Sequence, residues 1–126
     1  MVMTGGCLCG AVRYQAEGPT RMSFVCHCRD CQRLSGSANL PLFVVPKAQF
    51  TISGDTWVFE TTGDSGRKLF RHFCPSCGST LHAGAEVLPD DVLISAGTLD
   101  DTDQYQPERS VHPSSKTHWD QLIGDA

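Results

Sequence analysis

The chain has 126 residues, a length that predicts one domain spanning residues 1–126 with room for a modest core. Its formal net charge is −4, the opposite of the basic footprint that a nucleic-acid binder shows. No stretch nears the ~20 apolar residues that cross a bilayer. The N-terminus, MVMTGGCLCG, also lacks the basic lead and apolar run of a signal peptide, so a cytoplasmic protein with no membrane partner is expected.

Twelve glycines and seven prolines cut the chain into short segments. Residues 10–16 alternate Val12 and Tyr14 with Arg13 and Gln15, the period-two pattern of a half-buried strand. Arg29–Ser35 (RDCQRLS) is the best helix, with Gly36 as its C-terminal cap. Residues 40–45 are continuously apolar, and Pro41 confines that strand to an edge, a bulge or a strand start. Phe50–Ser53 and residues 56–61 flank Gly54-Asp55 and read as a hairpin that sets Trp57 and Phe59 on one face. Those two aromatics, with Phe43 and Phe70, are expected in the core rather than in a pocket. Residues 67–73 place Leu69, Arg71 and Phe73 on one side and Lys68, Phe70 and His72 on the other. Residues 79–83 and 91–98 complete a set of seven or eight strands, and residues 100–107 read as polar loop. The fold class is mainly β, with antiparallel sheets suiting such short connections.

Seven cysteines carry the chemistry: Cys7-x-Cys9, Cys26-x-Cys28-x2-Cys31 and Cys74-x2-Cys77. An odd number cannot pair fully as disulfides, and in a reducing compartment clustered thiols bind metal. In extended chain, residues i and i+2 share a side, so Cys7 and Cys9 can chelate together. Cys74-Pro75-Ser76-Cys77-Gly78 has the form of a zinc knuckle. Four thiolates close a tetrahedral structural zinc site, whereas three leave one position for a small molecule. With both sites loaded, the net charge falls to about −7.

Spacing does not fix the grouping. The central cluster could recruit His27, His72 or His82 and become a second closed site. His27 lies between two ligands and is expected to point away, while His72 and His82 read as strand residues. His112 and His118 lie too far along the chain to be placed.

Gly6-Cys7-Leu8-Cys9-Gly10-Ala11-Val12, Cys26-His27-Cys28-Arg29-Asp30-Cys31 with Ser35-Gly36, and Arg71-His72-Phe73-Cys74-Pro75-Ser76-Cys77-Gly78-Ser79 together resemble the glutathione-dependent formaldehyde-activating enzyme and centromere protein V family. Gly97-Thr98-Leu99-Asp100 and the Lys116/Trp119 pair are similar to its C-terminal pattern. The resemblance implies a β-tent of packed antiparallel sheets with two Zn2+ ions. It assigns Cys7, Cys9, Cys74 and Cys77 to the structural zinc and Cys26, Cys28 and Cys31 to the catalytic zinc.

The reaction it implies is addition of glutathione sulfur to formaldehyde, giving S-hydroxymethylglutathione, a carbon–sulfur lyase-type activity. A zinc on three thiolates suits this, because it accepts another sulfur and holds it as thiolate. Arg29 and Arg33 flank Cys31 and are candidate clamps for a substrate carboxylate, with Lys47, Arg67, Lys68 and Arg71 as further cations. The competing expectation is a zinc-stabilised binding module in which both metal sites only hold sheets together. Exposed strand edges make a homodimer reasonable.

Overall fold

The computed structural model describes residues 1–120. Its strands are β1 (Val2–Gly6), β2 (Arg13–Glu17), β3 (Met22–Cys26), β4 (Leu40–Pro46), β5 (Phe50–Ser53), β6 (Trp57–Thr62), β7 (Lys68–Phe73), β8 (Thr80–Ala85), β9 (Leu88–Ser95) and β10 (Arg109–Val111). One α-helix, α1 (Arg29–Ser35), lies among the described residues. The chain is mainly β, as its patterning predicts. A three-stranded sheet has the order β1-β2-β5, and a seven-stranded sheet the order β10-β3-β4-β9-β8-β7-β6. All pairings in both sheets are antiparallel but one: β10 joins β3 in parallel, with Val111 opposite Cys26.

The two faces of β4 explain its unbroken apolar run. Phe43 and Val45 enter a core with Met3, Tyr14 and Ile94, drawn from both sheets. Leu42 and Val44 enter a second core with Phe24, Leu93 and the buried cysteines Cys26 and Cys31. A strand buried on both faces has no place for polar alternation. Pro41 sits in this interior strand, not at an edge. It is the second residue of β4 and pairs only with Val25, because pairing with β9 begins at Leu42. Of the three positions open to that proline, the strand start is the one observed.

The structure corrects the hairpin expected at Gly54-Asp55. β5 pairs with β2, Ser53 opposite Arg13, whereas β6 pairs with β7 in the other sheet. Gly54 instead passes the chain between sheets at φ 91°, where a side chain would collide with the Ala11 carbonyl. The placement of Trp57 and Phe59 in the core is corrected with it. As residues of the edge strand β6 they are 63% and 60% exposed. Phe43 is core as expected, at 1% exposed, and Phe70 is half-buried.

Candidate metal centres and an adjoining cavity

Two loops converge to make the first cysteine group. After β1 the chain turns tightly, with the Gly10 N–H donating to the Cys7 carbonyl and Gly10 itself at φ 82°. The Val12 N–H donates to Cys7 Sγ at 3.2 Å. The knuckle after β7 closes with the Gly78 N–H on the Cys74 carbonyl at 2.8 Å, and Gly78 takes φ 78°. Ser79 Oγ ties the loops together, accepting from the Leu8 N–H at 3.0 Å and lying 3.2 Å from Cys77 Sγ. The Gly97-Thr98-Leu99-Asp100 segment braces the same corner. Its Asp100 bonds Thr4 and Arg13, and Thr98 Oγ1 lies 2.8 Å from the Tyr14 hydroxyl.

The sulfurs of Cys7, Cys9, Cys74 and Cys77 all lie within 4.8 Å of one another. Cys7 to Cys9 is 3.6 Å and Cys9 to Cys74 is 3.7 Å. A disulfide needs about 2.05 Å, whereas the edge of a tetrahedron with 2.3 Å zinc–sulfur bonds is about 3.8 Å. The sulfur spacing therefore fits a four-coordinate metal. Hydrogen bonds from Ser79 pull the Cys77 thiol down to about 5, whereas Cys9 in the same group is pushed up to about 11 by the hydrogen bond it shares with Cys7.

The second group is built on one helix start. Cys26 ends β3, Cys28 caps α1 by accepting the Cys31 N–H at 3.3 Å, and Cys31 lies in the first turn. The helix occupies the residues its sequence predicts, and Gly36 ends it in the left-handed conformation. All three sulfurs lie within 4.8 Å. The hydrogen bond from Cys31 draws the Cys26 thiol down to about 5, and the same bond, with burial, pushes Cys31 upward. The set is soft and compact, and it fits a metal. Among the described residues no further Cys, His, Asp or Glu joins it.

The histidines weighed as a fourth ligand lie elsewhere. His27 is buried, with Nδ1 3.8 Å from Asp120 Oδ2. His72 and His82 stack on each other in a different cavity, of about 530 Å³, which Lys47 and Phe70 also line.

A cavity of about 440 Å³ opens beside the three-cysteine group, with Cys28 in its wall. Arg29, Arg67, Lys68 and Arg71 line it against two carboxylates, Asp30 and Asp64. An acidic protein thus turns a cationic concavity toward these thiols. Of the expected clamps, Arg29 lines the cavity and bonds Gln32 Oε1, while Arg33 is exposed on α1 and does not line it. Lys116 and Trp119 are not among the lining residues either.

Sequence reasoning missed His112 and Ser115. The β10–β3 pairing brings both to the cavity, and Gln32 Nε2 fastens the segment by donating to the Ser115 carbonyl at 3.0 Å. His112 holds φ 55°, a left-handed backbone that side chains seldom adopt.

Residues 2–115 match the family described as glutathione-dependent formaldehyde-activating enzyme. The chain belongs to that family. A Halomonas elongata protein whose name assigns it that activity provisionally is 26% identical over 125 residues, covering 89% of this chain and 74% of its own. The crystal structure of a Rhodobacter sphaeroides protein superposes with a TM-score of 0.66 at 19% identity, covering 86% of this chain and all of the other. That likeness supports the fold alone. The family name indicates an enzyme of formaldehyde activation, and the two cysteine groups could hold the metal ions such a protein uses.

Proposed function

We propose that this protein joins a small thiol, glutathione or a relative, to an aldehyde such as formaldehyde, and cleaves the adduct in reverse. The observation that carries this reading is a three-thiol group whose Cys28 lies in the wall of a cationic cavity, with no fourth protein donor among the described residues. Zinc held by Cys26, Cys28 and Cys31 would supply a thiophilic Lewis acid that stabilises an incoming thiol as thiolate. The four cysteines of the other group would hold a second, structural zinc.

The overall change is RSH + CH2O → RSCH2OH. One carbon–sulfur bond forms, the carbonyl π bond breaks, and the thiol proton ends on the new hydroxyl. Nothing is oxidised or reduced. The protein therefore has to bind, orient and pass on one proton. Leu69 and Val87 give the cavity apolar wall, and the cations gather an anionic thiol. His112, which lines the cavity, would carry the proton from sulfur to oxygen.

Cys31→Ser tests the reading. Thiol-dependent formaldehyde consumption should fall by more than about 100-fold in a folded protein that keeps the four-cysteine group. Turnover equal to the parent protein would refute it.

The binding-module reading has its own support in Trp57, Val58 and Phe59, exposed on the edge strand β6. Cobalt substitution separates the two. An added thiol that alters the cobalt spectrum shows an accessible metal, and an unchanged spectrum favours the module.

A further inference from the structure

We infer that Arg71 is a carboxylate anchor in the cavity, and that the thiol taken there carries an acid group. The word thiol rests on the proposed function; the anchor does not. Arg71 lies mid-strand in β7, opposite Ala83 of β8, whose methyl offers it no acceptor. It is 6% exposed. Among the described residues its hydrogen bond runs from Nε to Thr61 Oγ1 at 3.4 Å, and no ion pair includes it.

A guanidinium whose contact with water is confined to the cavity it lines is stabilised by an anion that enters there. Among the described residues no carboxylate lies within ion-pair reach of it, and the side chain lines the cavity that Cys28 shares, with Asp30 and Asp64 elsewhere in the wall. The missing partner is therefore an oxyanion in that cavity, on the same ligand whose sulfur reaches the three-cysteine group. A planar fork of N–H donors matches a carboxylate with two parallel hydrogen bonds.

Of the neighbouring cations, Arg67 is exposed to solvent and two others have partners. Arg29 bonds Gln32, and Lys68 is exposed, 3.9 Å from Glu60. They can steer an anion inward, whereas Arg71 is placed to hold it.

The test uses the metal-loaded protein and S-methylglutathione, which has both carboxylates but no free thiol. Its affinity, measured calorimetrically, should drop about ten- to hundredfold in Arg71→Gln and partly recover in Arg71→Lys, which keeps the charge without the fork. Where turnover is measured, KM for glutathione should rise with 2-mercaptoethanol kinetics unchanged. Equal affinity in parent and variants, or an equal loss for 2-mercaptoethanol, overturns the anchor. Should Arg71→Gln not fold, Arg71→Lys decides, since a lysine that binds as well as arginine also overturns it. If the parent protein binds S-methylglutathione through Arg71 but turns over no thiol with formaldehyde, the anchor stands and the proposed function falls.

Discussion

His72 and His82 lie directly opposite on β7 and β8 and stack, ring centroids 4.2 Å apart with 15° between planes. Phe50 also packs against His82, ring centroids 5.1 Å apart, and burial beside His72 lowers His82 to about 4. The unfolded chain would take its proton near 6.5, so between these values the unfolded state binds more protons. Stability from this site is complete above pH 6.5 and lost as acid approaches pH 4. Denaturant midpoints at pH 7 and pH 4.5 should show His82→Phe losing about 2 to 3 kcal/mol less than the parent on acidification. An identical loss in both proteins would remove the cause assigned here.

Metal content separates the two cysteine groups. Protein purified without chelator should carry about two zinc ions per chain, and Cys31→Ser about one, with unchanged circular dichroism. Cys74 is wholly buried beside Val12 and Leu81 where the sheets meet. Cys74→Ser should therefore cost both metal and fold, visible as lost cooperativity in thermal unfolding. A cooperative Cys74→Ser protein with the parent's midpoint would show that this group stabilises nothing.

Gly5 is a place of close approach. A β-carbon there would run into the Tyr14 ring and the Thr98 carbonyl, which is backbone and cannot swing aside. Gly5→Ala should destabilise the protein by about 3 kcal/mol or more in chemical unfolding, far beyond an ordinary surface change.

Aromatic residues should divide by position. Phe43→Ala empties the double-faced core and should cost about 3 to 5 kcal/mol. Trp57→Ser on the edge strand should stay within about 0.5 kcal/mol of the parent. Equal losses would mean that β6 packs against something in solution.

Local sequence held a good part of this structure. The helix from Arg29 to Ser35 was legible because capping is local: Cys28 before it, Gly36 after it. The seven sulfurs were legible as two groups through family resemblance, since no short-range rule ties Cys9 to Cys74. The misreadings were all non-local. Gly54-Asp55 has hairpin chemistry, but β5 found better partners in β2, and no periodicity announces a change of sheet. Trp57 and Phe59 alternate as core aromatics do, yet strand order left them at an edge. His112 was invisible because a three-residue strand, β10, places it beside Cys26 from far along the chain.

The clasp between Gln32 and Ser115 spans 83 residues. On the ribosome, the Cys26–Cys31 loop is made long before the segment that completes its cavity. The four-cysteine corner has all its sulfurs once Cys77 emerges. Translation therefore delivers the scaffold first, and the chamber acquires its last wall only when His112 and Ser115 follow it out.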